Sequence, residues 1–191
     1  MKKILLILFL FLSSETNIYA EINRIVSGNK DAKITIIAYE SLTCSHCASF
    51  HSDVYPQLKK EYIDTGLAKI EFRHFPLDIA ALNASKIAQC KQDQGLQILS
   101  SLYLNQQSWV KGNSIEAINK NLKKFLKKEG FNLDFDKCVD DKKIEDFVLN
   151  DRIEGVKTFK VNATPTIIIN NKKFEKSLNY KNLKKSLEKL I

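Results

Sequence analysis

Seven residues, Lys33-Ile-Thr-Ile-Ile-Ala-Tyr39, make an almost unbroken apolar and β-branched run. A strand with apolar side chains on both sides must be covered on both faces, which places it in the middle of a sheet rather than at a solvated edge. The residues after it narrow the fold further. Ser41-Leu-Thr43 reads as a turn, and Phe50, Val54, Leu58 and Tyr62 then recur every four residues, predicting a long helix that begins near Cys44 and is kinked at Pro56. Gly66 closes that segment, Leu67-Ala-Lys-Ile-Glu-Phe-Arg73 returns as a second strand, and Phe75-Pro76 stops it. Upstream, Arg24-Ile-Val-Ser-Gly28 is a short edge-strand candidate ending in a turn.

From Leu77 to Gly155 the pattern changes. No strand is convincing there, and helical spacing predicts helices over Ile79 to Lys91, Leu96 to Asn105, Ile115 to Glu129 and Ile144 to Ile153. Strands resume with Thr166-Ile-Ile-Ile-Asn170. Asn170-Asn171 is a hairpin-turn signal, Lys172 to Lys176 is the return strand, and a last helix from about Tyr180 is expected to bury Leu183, Leu187 and Leu190. The economical architecture is α/β: a core from residues 21–76 and 156–191, interrupted by a helical insertion over 77–155.

Residues 1–20 are set aside as a leader. Lys2 and Lys3 precede an unbroken apolar run from Ile4 to Leu12, a polar stretch and the small residue Ala20, the layout of a cleaved secretory signal peptide. The run is well short of the roughly 20 residues a membrane-spanning helix requires. Export is therefore expected.

The net charge of +8 raises the question of an anionic partner. Only Arg24, Arg73 and Arg152 among the 30 basic residues are arginines, whereas base recognition leans on bidentate arginine contacts, so no nucleic acid is expected. The densest cluster, Lys120, Lys123, Lys124, Lys127 and Lys128, lies at helical spacing opposite Leu122, Phe125 and Leu126, the pattern of a solvated helix face.

Cys44-Ser45-His46-Cys47 falls where the buried strand gives way to the helix. A helix start presents unpaired backbone N–H groups and the positive end of the helix dipole, both of which favour a thiolate. Protonated His46 would add a cation beside the sulfur. Cys44 is thus the accessible sulfur, and Cys47, one turn further in, is placed to resolve a mixed disulfide. Against this stand an inert disulfide and half of a zinc site shared with His46 or His51. Zinc usually takes four ligands and the chain has no second C-x-x-C, so no metal is expected, and His51 reads as a satisfied helix-face side chain.

These residues, with Phe72-Arg-His-Phe-Pro-Leu-Asp78 and Val161-Asn-Ala-Thr-Pro-Thr166, resemble the DsbA-type thiol–disulfide oxidoreductases over essentially the whole chain after the leader. The nearest-looking branch comprises exported bacterial proteins with Thr-Cys-Pro-His-Cys. The resemblance implies a thioredoxin fold with a helical insertion, Cys44 as nucleophile, Cys47 as resolving cysteine and His46 as the residue that holds the thiolate. It also implies a cis bond at Thr164-Pro165, in a loop that lies against the cysteines and offers backbone bonds to an extended substrate peptide. The chain departs from the family twice. Ser45 stands where the family has Pro, so the redox potential is open to change. Ala38 stands where the family has a buried Glu, while Glu40, on the same strand face, is expected to take over its proton handling.

In an exported protein Cys90 and Cys138 are expected to form a structural disulfide, which the chain-entropy model values at about 4 kcal/mol. The resulting expectation is a periplasmic, monomeric oxidoreductase, without cofactor, that donates disulfides to reduced secreted proteins and is reoxidised by a quinone-linked membrane protein of the DsbB type. The alternatives are an isomerase or reductase of the same fold, although the dimerisation module of the dimeric isomerases is missing here, and a periplasmic metal-binding protein using the C-x-x-C.

Overall fold

In the computed structural model, which describes residues 22–191, the run at Lys33–Tyr39 becomes the middle strand of a five-stranded sheet. The expected leader lies outside the described residues. Strand β2 (Ile34–Glu40) pairs in parallel with β3 (Ala68–His74) and antiparallel with β4 (Thr166–Ile169). Strands β1 (Ile25–Gly28) and β5 (Lys172–Lys173) form the two edges, in the order β1-β3-β2-β4-β5. Ile34, Ile36 and Ala38 enter the larger core and Ile37 and Tyr39 the smaller one beneath the other face, which is why the run hardly alternates in polarity. Asn170 and Asn171 both take positive φ, 45° and 64°, as a two-residue hairpin of the favoured twist requires. Strand β5 is shorter than the expected Lys172–Lys176. Phe174 still donates to the Ile167 carbonyl at 2.8 Å, but the same register would set Lys176 opposite Pro165, which has no N–H to give.

The long helix starts at α1 (Ser45–Ser49) and meets Pro56 through a wider π turn, Phe50–Val54, before α2 (Tyr55–Leu58) and a second π turn, Lys59–Ile63. Proline has no N–H and its ring collides with the carbonyl four residues back, so the ladder is disturbed one turn upstream of it. The disturbance changes which residues face inward: Phe50, His51 and Val54 are all buried.

The insertion contains α3 (Ile79–Cys90), α4 (Gly95–Leu104) and α6 (Ile115–Lys128), close to the expected bounds. Asp78 and Ser114 cap α3 and α6 by accepting from Ala81 and Ala117 N–H. Two short helices were not foreseen, α5 (Gln106–Trp109) and α7 (Phe135–Asp140). The last helix of the block, α8 (Lys142–Phe159), runs past both Ile153 and Gly155. Gly155 does not end it because it serves packing instead: a Cβ there would lie 2.8 Å from the Tyr39 ring of β2. Helix α8 thus covers the sheet face carrying Tyr39 and Ile37, with Phe159 packed against them. Helix α4 packs on α1 and the first π turn, and α9 (Tyr180–Leu187) on α2. Leu183 and Leu187 are buried as expected, but Leu190 is 46% exposed because the helix has already ended. Cys90 and Cys138 are bonded, tying the end of α3 to α7; Cys138 is buried, whereas Cys90 is only half-buried. The lysines of α6 are exposed and Leu122, Phe125 and Leu126 buried. Among the described residues no helix is long and apolar enough to cross a membrane.

His74, at the end of β3, is wholly buried and donates from Nε2 to the Gln89 side-chain oxygen at 3.2 Å, with Asp151 and Glu40 as its charged neighbours. Burial holds its imidazole below the ordinary value of 6.5, outweighing the pull of Asp151. The unfolded chain therefore takes up a proton at pH values where the folded one resists it, and stability falls as pH drops below 6.5. His74→Gln is expected to flatten that slope in urea titrations run at a series of pH values; an undiminished slope would assign it to other groups.

Candidate active site

The strand-to-helix junction places Cys44 at the N-cap of α1, with extended backbone (φ −80°, ψ 119°). Its carbonyl accepts from the Cys47 and Ala48 N–H groups at 3.1 and 3.2 Å, so the helix begins on this residue. The Cys44 side chain is half-buried, and its thiol donates to the Thr164 carbonyl at 3.3 Å. Thr164-Pro165 is cis, and the loop before β4 lies across the start of the helix, as the resemblance implied. Cys44, Cys47, Thr164 and Pro165, far apart in the chain, are brought together. Both cysteines are unbridged thiols in this structure.

The two sulfurs differ sharply in setting. Cys47 is fully buried, and burial pushes its thiol far above the ordinary range, with the nearby Glu40 and Cys44 charges raising it further. The Ser41 backbone and the Thr164 hydroxyl pull only partly the other way. Cys47 therefore holds its proton at neutral pH, while Cys44 is the sulfur a partner can reach.

Glu40 ends β2 on the same face as Ala38 and is 3% exposed. One carboxylate oxygen, Oε2, lies 2.9 Å from His51 Nε2 inside the protein, and the other, Oε1, is buried without a hydrogen-bond partner. His51 was not foreseen here. It is off the 50, 54, 58, 62 stripe of a regular helix, and the π turn before Pro56 swings it inward. Its ring stacks on Tyr103 of α4 at 4.1 Å between centroids and meets Phe50 edge-on. The reading of His51 as an ordinary helix-face side chain is thus corrected: it is the buried partner of Glu40.

His46 is exposed in the first turn of α1, and among the described residues it makes no hydrogen bond to either sulfur. It lines an open groove of about 380 Å³ near the cysteines, lined also by Phe50, Asp53, Val54, Pro165 and Leu178. Cys90 and Cys138 belong to the insertion and take no part in this site. No group of three or more His, Cys, Asp or Glu among the described residues is arranged to hold a metal ion.

A mixed sheet with a C-x-x-C at a helix start, facing a cis-proline loop, defines a thioredoxin-fold protein with a dithiol centre. The family model described as Thioredoxin matches residues 20–189. The crystal structure of α-DsbA1 from Wolbachia pipientis superimposes with a TM-score of 0.77 at 31% identity, covering 88% of this chain and 90% of that one. The chain belongs to the thioredoxin family and, within it, to the DsbA-like proteins. A Rickettsia bellii protein whose name places it among the protein-disulfide oxidoreductases is 32% identical over 152 residues, 78% of this chain. Disulfide bond formation protein D of Bacillus subtilis is 27% identical over 174 residues, 86% of this chain and 75% of its own length. The chain spans little more than half, 57%, of the Rickettsia bellii protein.

Proposed function

We propose that this protein is an exported, periplasmic thiol–disulfide oxidoreductase that donates the Cys44–Cys47 disulfide to reduced secreted proteins. The observation that carries the reading is the asymmetry of the pair: a reachable Cys44 at a helix start under the Thr164 carbonyl, and a buried Cys47 held as a thiol. A substrate thiolate attacks the Cys44 sulfur of the oxidised protein, the Cys44–Cys47 bond breaks, and Cys47 leaves and is protonated. A second substrate cysteine, as thiolate, then attacks the substrate sulfur of the mixed disulfide and expels Cys44. The substrate has lost two electrons and two protons, and the protein has gained them.

Cys47 is buried, so its proton must arrive from inside. Glu40 handles it, the unpartnered Oε1 being the acceptor when Cys47 must be deprotonated again. The Thr164 backbone pairs with the substrate peptide, and the apolar walls beside it hold that peptide weakly and without strong sequence preference. His46, in the first turn of α1 beside Cys44, assists the reaction at that sulfur, and Cys90–Cys138 braces the insertion. The protein works as a monomer without a cofactor, and electrons leave it to a quinone-linked membrane protein of the DsbB type.

A redox titration of the Cys44–Cys47 pair against glutathione tests this reading. The expected potential is well above the roughly −270 mV of thioredoxin, with rapid oxidation of a reduced peptide; a value near −270 mV would make the protein a reductase.

A further inference from the structure

One side chain of the helical insertion, Gln106, is hydrogen-bonded directly to the backbone of the redox turn. Gln106 opens α5 and is 5% exposed. Its Nε2 donates to the Leu42 carbonyl at 2.9 Å and to the Cys44 carbonyl at 3.0 Å, so both amide hydrogens are committed to the turn that joins β2 to α1. The base from which it reaches is firm: Trp109, at the other end of α5, is fully buried and donates from its indole to the Leu102 carbonyl of α4 at 2.9 Å.

The Cys44 carbonyl consequently receives three donors: the amide of Gln106 and the Cys47 and Ala48 N–H groups of its own helix. With the Leu42 carbonyl also held, the residues on either side of Thr43 are fixed from outside the thioredoxin core. The orientation of that peptide decides how the first N–H groups of α1 stand relative to the Cys44 sulfur. We propose that Gln106 is a positioning residue for Cys44, through which the insertion stabilises the Cys44 thiolate and so sets how oxidising the pair is. A well-held thiolate favours the reduced state, which makes the disulfide a stronger oxidant; loosening it does the opposite.

The proposal rests on the reading of Cys44 and Cys47 as the redox pair. Its test uses the full protein after the leader and compares it with Gln106→Met, which keeps the length of the side chain and removes both donors, and with Gln106→Ala should the first fold poorly. Three quantities are read: the glutathione equilibrium of the pair, the ultraviolet absorbance of the thiolate at fixed neutral pH, and the urea midpoint. The expected result is a shift of the equilibrium toward the disulfide by about tenfold, or about 30 mV for a two-electron couple, with less thiolate absorbance. A lower urea midpoint with unchanged equilibrium and unchanged absorbance would overturn the proposal, because Gln106 would then only brace the fold. If the parent protein forms no Cys44–Cys47 disulfide at any glutathione ratio, the redox reading itself falls, and this inference with it.

Discussion

Cys44→Ser and Cys47→Ser each lower the rate of peptide oxidation by about three orders of magnitude or more, since the disulfide that is donated no longer exists. The two variants are expected to fail differently, and the difference tests the assignment of roles. In Cys47→Ser the surviving Cys44 is half-buried at the helix start and reachable. It takes up one glutathione or one peptide thiol as a mixed disulfide that nothing within the protein resolves. In Cys44→Ser the surviving Cys47 is fully buried and keeps its proton. It resists iodoacetamide until the chain is unfolded, because the thiolate is the reactive form. Mass measurement of each variant after mixing with oxidised glutathione and, separately, with iodoacetamide, native and in denaturant, reads both outcomes. Equal alkylation of the two cysteines in the folded state would remove the asymmetry on which the mechanism stands.

The second large effect is expected at the buried pair beneath Cys47. Removing one partner of a buried hydrogen bond leaves the other unsatisfied, at a cost of about 1–3 kcal/mol. His51→Leu leaves the Glu40 side chain without its 2.9 Å partner and removes the ring that packs among Phe50, Tyr55, Phe72 and Tyr103, and its urea midpoint falls accordingly. The double variant Glu40→Leu/His51→Leu recovers most of that loss, since two apolar side chains replace both hydrogen-bonding partners. Equal instability of single and double variants would mean that packing of the ring, not its hydrogen bond to Glu40, is what His51 supplies. Glu40→Gln separates stability from chemistry. It removes the carboxylate that raises the Cys47 thiol, so the pH dependence of exchange with a small thiol should change; an unaltered profile would deny Glu40 a part in proton handling.

Legibility in the sequence followed the length of the pattern. Strand β2 and helices α3, α4 and α6 each carry enough residues of one period to be read directly, and the Asn170-Asn171 turn was legible because two consecutive positive φ values suit few residue types. Helices α5 and α7, of four and six residues, are too short to show a period. The cysteine pair and the face of Glu40 were readable from motif and strand parity, and the cis bond in the Thr164-Pro165 loop came only with the family resemblance. His51 was not, because its burial depends on a π turn that Pro56 imposes one turn upstream, and a 3.6-residue template places it off the buried stripe. Gln106 gave no signal at all: its role is defined by two carbonyls more than 60 residues earlier in the chain, a tertiary fact with no local trace.

The path of α8 bears on how such a protein could be rearranged. Its first half packs with α3 inside the insertion, and its second half, through Gly155 and Phe159, roofs the Tyr39 side of the sheet. One rigid rod is therefore owned by both parts. An insertion bounded by loops at each end could be lifted out and exchanged as a cassette; this one has a loop at one end only. Excising 77–155 would cut through hydrogen-bonded helix and uncover Ile37, Tyr39 and Ile168 on the far side of the sheet. Evolutionary or laboratory swaps of the helical block must carry all of α8 with it, together with the tyrosine that α8 was shaped to admit.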